Sequence, residues 1–515
     1  MFERILKYFG FVRKSEMPFI RGYSGAKVSR LTSDWVTTFV TADADVRWAM
    51  VTLRSRARDL TQNNDYARKY VNMTVANVVG SEGFKLQARA QDDNGRSDEM
   101  ANRILEAAFA DFSKAANCDV SGKLTFRGLQ ELAVRTLVRD GEVFIRIVKN
   151  RKYAHGMALQ VIEPDYVDER KNETLGNGNI VRMGVELDEW RRPVAYWLRQ
   201  VNAETELTTT MVTGEAVRIP AAEIIHVYDM ERANQTRGVT WFAASIMRLK
   251  MLTGFEEASL VNARASAAKM GFFKSELGNE FTGDTKDADG NTITYAQPGS
   301  FSQLPPGIDF IPYDPKYPSD QHEPFVKSIL RGIASGLGCS YNTLANDLEG
   351  VNYSSIRSGL LDERETWKRV QALVVEQLLE KVYVAWLDMA MLKGKINLPA
   401  RKFEKFTRVE WIGRRWQWVD PLKDIEASLM AVNGGLKTRT QIIAEQGGDI
   451  TDTFEQLAQE QALADKYGIE INDGEKNGTG KINKPTDAEM DDDGSADVKG
   501  GRTNGGNIHQ QRAAG

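Results

Sequence analysis

The stretch Ser328-Ile329-Leu330-Arg331-Gly332-Ile333-Ala334-Ser335-Gly336-Leu337-Gly338-Cys339-Ser340-Tyr341 decides how the chain is laid out. Its apolar residues recur at helical spacing and Gly338 supplies a stop, so a helix is expected over Phe325 to Leu337. Upstream, 271–324 holds seven of the fourteen prolines: Pro298, Pro305, Pro306, Pro312, Pro315, Pro318 and Pro324. Proline fixes φ and removes a donor, so this excursion reads as loops and short strands. Before it, Val239 to Met270 keeps a helical pattern broken only mildly by Gly254. A helix of about 30 residues is about 45 Å long, and the Ala-rich run Ala263 to Ala268 suits close packing against a neighbour. Downstream, Cys339 to Asn352 is a polar loop. A longer helix is expected from Tyr353 to Lys393, with Trp367, Val370, Val374, Leu378, Val382 and Trp386 on one stripe.

Working outward, residues 1–40 lack periodicity and read as an arm. Asp43 to Gly80 reads as two helices, the first burying Trp48, Val51, Leu53 and Leu60. Ser97 is the expected cap of a helix over Met100–Ala116, and Thr125 caps another that ends at Asp140-Gly141. The period then changes to that of strands: Glu142 to Val148, a hairpin of Val181–Leu187 with Val194–Leu198, and the short runs Val217–Ile219 and Ile224–Tyr228. Helices first and strands second make 43–230 an α+β unit. Trp411, Trp416 and Trp418 are expected to pack the chain back onto the body, and 421–467 to form two or three short helices. Residues 472–515 contain no Phe, Tyr or Trp and read as disordered.

Composition narrows the function. The 515 residues suggest about three domains at ~150 each. Lys plus Arg is 67 and Asp plus Glu 71, a net charge of −4, which argues against a polybasic protein that grips phosphates. Two cysteines, Cys118 and Cys339, suit a reducing compartment and exclude a disulfide framework or a Cys-rich zinc site. The start, Phe2 to Phe9, lacks the apolar run of a secretory signal. The most apolar stretch, Ala372–Leu392, carries Glu376, Glu380, Lys381 and Asp388, too many charges for a membrane span.

Catalytic patterns are weak. Gly478-Thr479-Gly480-Lys481-Ile482 has the wrong spacing for a phosphate-binding loop, and Gly176-Asn177-Gly178 lacks the third glycine of a dinucleotide fingerprint. His155, His226, His322 and His509 are scattered, and His226 reads as a satisfied histidine in an apolar strand. Cys118 lacks a nearby His and reads as an idle thiol. The SxxK pairs Ser24–Lys27 and Ser266–Lys269 match by chance, and Asp491–Asp493 reads as a solvated tail. No catalytic residue, cofactor site or metal site is expected. Lys327 and Arg331 share a helix face and fit either a solvated surface or a channel lining. The basic stretch Arg54, Arg56, Arg58, Arg68 and Lys69 reads as a solvated helix face.

Several motifs in order carry a resemblance. They are Arg58-Asp59-Leu60-Thr61-Gln62-Asn63-Asn64-Asp65-Tyr66-Ala67, Val78-Val79-Gly80, Ile224 to Tyr228 followed by Gln235-Thr236-Arg237-Gly238-Val239, Ser328 to Tyr341, and Tyr353-Ser354-Ser355-Ile356-Arg357. Together they make residues 45–460 resemble the lambda-type portal proteins of tailed bacteriophages. The resemblance implies an α+β, ring-forming portal fold, an α/β wing with a two-helix stem, a small α/β clip and a helical crown. On that mapping 1–40 is the N-terminal arm, 41–238 the wing, 239–270 the first stem helix, 271–321 the clip and 322–337 the second stem helix. Residues 338–353 are the tunnel loop, 354–419 the long wing helix and return, 420–470 the crown and 471–515 a disordered tail.

The resemblance further implies a non-enzymatic ring of twelve subunits at one capsid vertex. Double-stranded DNA enters through it during packaging and leaves through it on infection. The ring would nucleate head assembly and join head to tail. Implied partners are the DNA, the terminase large subunit, the major capsid or scaffolding protein, and head-completion or tail-connector proteins, with no membrane. The implied place is the virion, after assembly in the host bacterial cytoplasm. The candidate DNA-facing residues are Ser340, Asn342, Asn346, Asp347, Glu349 and Asn352 in the tunnel loop, with Lys327 and Arg331 as stem candidates. The loop has no Lys or Arg and should not hold phosphates strongly. The alternative is another protein of the same packaging pathway, a head protease or a head–tail adaptor. Against a terminase ATPase stands the missing phosphate-binding loop.

Overall fold

The structure is a computed structural model that describes residues 30, 33–200, 215–267, 271–275, 285–286, 292–293, 308–312, 321–350, 352–416, 421–446, 448 and 450–468. Most of the arm and of 271–321, Trp418, Ser24–Lys27, Lys269, Gly478–Ile482, Asp491–Asp493 and His509 lie outside the described residues. The chain divides into two compact units, Met1–Gly448 and Asp449–Gly515. In the second, the described element is one helix, Ile450–Tyr467.

The first unit starts with two helices, α1 (Ala42–Asn63) and α2 (Asp65–Val78). Thr41 caps α1 by accepting from the Ala44 N–H. Asn64 closes α1 and caps α2 at once: its N–H reaches the Leu60 carbonyl and its side chain accepts from the Ala67 N–H, both at 2.8 Å. The buried face of α1 differs from expectation. Trp48 and Val51 are exposed, and Val46, Met50, Arg54, Ala57 and Leu60 are buried. The basic stretch also needs correction, because Arg54 is only 2% exposed and is part of the core.

Strand β1 (Lys85–Ala88) precedes α3 (Glu99–Phe112). The cap of α3 is Asp98, which accepts from the Ala101 N–H, and Ser97 stands one residue too early for that role. Helix α4 (Phe126–Asp140) is capped by Thr125 as expected. It ends at Gly141, whose φ of 90° only glycine adopts easily.

Two sheets follow. In the first, β2 (Glu142–Lys149) lies between β3 (Met157–Ile162) and a later strand, β9 (Ile224–Tyr228), all antiparallel. In the second, β4 (Glu173–Thr174), β5 (Ile180–Arg182), β6 (Val185–Leu187), β7 (Pro193–Arg199) and β8 (Ala216–Pro220) run in sequence order. The expected strand Val181–Leu187 is itself a tight hairpin, because Met183 and Gly184 both take positive φ and reverse the chain.

Beneath the first sheet lies a buried ionic knot. Glu142 is fully buried and accepts from Arg237 Nη2 at 2.6 Å, Arg54 Nη2 at 2.9 Å and the Gly238 N–H at 3.0 Å, with His226 Nε2 also at 3.0 Å. Arg237 Nη1 also donates to the Met183 carbonyl at 2.6 Å. Burial would raise the Glu142 pKa, but the charge of Arg237 and the hydrogen bonds from His226 and Arg237 hold it well below the usual carboxylate range. Burial lowers the pKa of His226 despite Glu142 beside it. A Cβ on Gly238 would sit 2.2 Å from the Gly141 carbonyl oxygen, so only two glycines allow these backbones to meet. His226 is thus the satisfied strand histidine its surroundings suggested.

From this knot the chain enters a hairpin of helices. The expected helix from Val239 begins only at Ile246, after hydrogen-bonded turns over 240–246, and runs as α5 (Ile246–Ala267). Beyond it, β10 (Gly271–Ser275) pairs antiparallel with β13 (Ile308–Pro312), and β11 (Thr285–Lys286) with β12 (Thr292–Ile293). These are the short strands expected of the proline-rich excursion. Helix α6 (His322–Leu337) returns along α5. Phe255 packs edge-on to Phe325 at 5.0 Å, and Ser245 lies so near Gly336 that any side chain there would collide with its hydroxyl.

A short helix, α7 (Tyr341–Ala345), interrupts the expected polar loop. The long helix then runs as α8 (Tyr353–Val374), a π-helical turn (Val375–Leu379) and α9 (Glu380–Leu392). In the π turn, Gln377 accepts from the Tyr228 N–H at 3.0 Å, so the irregularity ties the helix to the edge of β9. The predicted stripe is buried from Trp367 to Trp386. Trp386 packs edge-on to Phe109 at 4.9 Å, beside Tyr383 and Trp411. Strand β14 (Val409–Ile412) pairs with β1, which returns Trp411 to the body as expected. Helices α10 (Pro421–Asn433) and α11 (Arg439–Glu445) close the first unit.

Candidate functional site

The candidate residues gather where α6 hands the chain to the loop before α8. Gly338 ends α6 at a φ of 68°, and Tyr70 of α2 fixes that end by donating to the Leu337 carbonyl at 2.8 Å. Cys339 is half-buried, and burial pushes its thiol up to about 12, so it is inert as a nucleophile.

Ser340 caps α7, accepting from the Thr343 N–H at 3.2 Å, and its hydroxyl lies 2.6 Å from that of Thr343. Thr343 in turn donates to Glu363 Oε2 of α8 at 3.0 Å. Glu363 is 5% exposed, and its Oε1 has no hydrogen-bond partner. Leu344 is buried in the main core. Asn342 and Asn346 line a cleft of about 300 Å³ with Lys69, Leu348 and Ile356.

Asn346 leaves α7 at a φ of 54° and accepts from Lys69 Nζ at 3.0 Å. Asp347 accepts from the Tyr341 hydroxyl at 2.7 Å. That hydrogen bond leads the causes that hold the Asp347 carboxyl below its ordinary value. Burial, with Asp347 second, pushes the Tyr341 hydroxyl up to about 12. Glu349 is exposed and accepts from Lys327 Nζ at 2.9 Å. Asn352 is exposed, and its carbonyl accepts from the Ile356 N–H as α8 begins.

Lys327 and Arg331 both face this loop. The Lys327 ammonium lies 2.5 Å from Glu323, 2.9 Å from Glu349 and 3.5 Å from Asp347. Its hydrogen bonds to Glu323 and then Glu349 hold its pKa above the ordinary lysine value. Arg331 lies over the Tyr341 ring at 5.2 Å. So Lys327, Arg331, Asp347 and Glu349 form one cluster, whereas Ser340 turns toward Glu363. Sequence reading missed Lys69, Glu323, Tyr341, Thr343 and Glu363. Glu323, four residues before Lys327 on a helix, was the one with a local signal.

Two cations, Lys327 and Arg331, against the three carboxylates of Glu323, Asp347 and Glu349 leave the cluster with a net charge of −1. The arrangement suits repelling a polyanion more than holding one. Among the described residues, no group of three His, Cys, Asp or Glu could hold a metal ion, and no helix is long and apolar enough to cross a membrane.

Comparison with known proteins gives one family. The family model described as "Phage portal protein, lambda family" matches residues 28–371. The chain is 37% identical over 465 residues to the probable portal protein of Halomonas phage phiHAP-1, covering 88% of this chain and 89% of that protein. It is 24% identical over 445 residues to portal protein B of Escherichia phage lambda, covering 79% and 82%. Among solved structures, the neck of a native GTA particle computed with C12 symmetry matches with a TM-score of 0.45 at 14% identity, covering 78% of this chain and 93% of that one.

Proposed function

The chain belongs to the lambda family of phage portal proteins, and from that premise we propose that it assembles into a closed ring whose channel passes double-stranded DNA into the head and out again. The ring would number twelve, as the family resemblance implies. In this reading α5 and α6 are the stem, the strands 271–312 belong to the clip, and the loop 338–353 surrounds the duplex. The terminase large subunit, capsid or scaffolding protein and tail connectors are its partners at the capsid vertex, and the protein itself does no catalysis.

One observation carries the ring. Helix α5 is apolar on two faces. Leu249 and Leu252 are buried within the subunit, while Met247, Met251, Gly254, Ala258 and Val261 are exposed along a second stripe at alternating spacings of four and three. Met251 is 70% exposed and Val261 58%. Such a stripe on a helix that already has a partner calls for another helix against it. A copy of the same hairpin, rotated about a ring axis, supplies one at every subunit. Electron microscopy and particle mass of the purified protein test this reading, and a charged substitution at Met251 should abolish the rings.

A further inference from the structure

The loop after α6 is fastened in two places by opposite kinds of chemistry. Its first part, 340–345, is fixed from below: Leu344 sits in the core, and the hydroxyls of Ser340 and Thr343 lead to the buried Glu363 carboxylate. Its second part, 346–350, is fixed from the side by the ion pairs of Lys327 with exposed Glu349 and half-buried Asp347, by Lys69 to Asn346, and by the Tyr341 hydroxyl, which donates to Asp347 at 2.7 Å. Between them stands Asn346, a non-glycine residue at positive φ.

We propose that this loop is a base and a tip joined at Asn346, and that Lys327 is the internal counter-ion that folds the acidic tip back onto its own helix. Without the ammonium, Glu323, Asp347 and Glu349 would lose the one cation that touches all three, leaving Arg331 over the Tyr341 ring as the remaining positive charge of the cluster, and their mutual repulsion would push the tip outward. The base does not share this dependence, since its anchor is a hydrogen bond shielded from salt. Lys327 therefore sets how far the tip stands out, and only the tip can move toward whatever occupies the channel. That last consequence rests on the channel reading, whereas the two-part loop does not.

Hydrogen exchange of the full chain, read by mass spectrometry at low and high NaCl, tests it. In the unaltered protein, high salt should speed exchange across 346–350 by about two- to five-fold, the range of exposed ion pairs, and leave 341–345 unchanged. Lys327→Gln should give the fast tip at both salt concentrations. Thr343→Val and Glu363→Ala should loosen 341–345, while Glu363→Gln, which keeps an acceptor oxygen, should not. Should Glu363→Ala fail to fold, Thr343→Val reads the same anchor. Equal tip exchange in Lys327→Gln and the unaltered protein, or base and tip loosening together in that variant, would overturn the proposal. Particle mass measured on the same samples separates the outcomes: monomers with this exchange pattern would sink the ring and leave the latch.

Discussion

Glu142 and Lys327 each draw together several opposite charges, but one does so in the core and the other in water. The Glu142 carboxylate has four hydrogen-bonding partners around it, Arg54, Arg237, Gly238 and His226, and the first two are nearly inaccessible arginines. Lys327 has three carboxylates around it, two of them mostly exposed. In the core, desolvation has already been incurred, so removing one partner strands a charge that cannot rehydrate. At the surface, water and salt replace a lost partner at little cost. The first cluster can therefore hold helix, sheet and the entry to α5 in one geometry, while the second can only bias a loop.

The largest expected effect breaks the first cluster. Arg237→Ala strands Glu142 and should destabilise the first unit by about 3–5 kcal/mol, read as a large fall in melting temperature. Gly238→Ala should also be severe, since its Cβ would meet the Gly141 carbonyl oxygen. Acidification comes next. His226 and His155 are both lowered, by burial first, so the unfolded chain binds protons that the folded chain refuses. Stability should be full above the model-peptide histidine value of 6.5 and fall as pH drops below it. Glu142, depressed from 4.5, adds a further loss as pH falls below that value. A melting temperature that rises on acidification from pH 7 to 5 would contradict the buried-histidine account.

The surface cluster should respond weakly to the same thermal assay. Lys327→Gln should leave the melting temperature within about 1–2 °C and change only the exchange of the tip. Deleting 346–350 should leave rings intact and reduce the yield of filled heads. Normal yields would show that the tip is dispensable for DNA retention.

Much of the fold was legible because long helices bury periodic stripes. Trp367 to Trp386 could be read directly, and so could the caps at Thr125 and Gly338. What could not be read depends on partners distant in sequence. Arg54 looks like a solvated arginine until Glu142, 88 residues away, is placed over it. The reversal at Met183 hides in a run of strand-forming residues, and the strands β1 and β14 are too short to signal themselves. The site was legible as a polar loop with an acidic tip. Its anchors were not, because Thr343 and Glu363 meet only when α8 folds under the loop.

The ring is the central claim, and particle mass tests it most directly. Native mass spectrometry or light scattering of the purified protein should give one species near twelve 57.7 kDa chains, about 690 kDa. Met251→Glu, which places charge in the exposed stripe of α5, should return the mass of one chain with the melting temperature preserved. A stable monomer from the unaltered protein under all conditions, or full-size rings from Met251→Glu, would contradict the account.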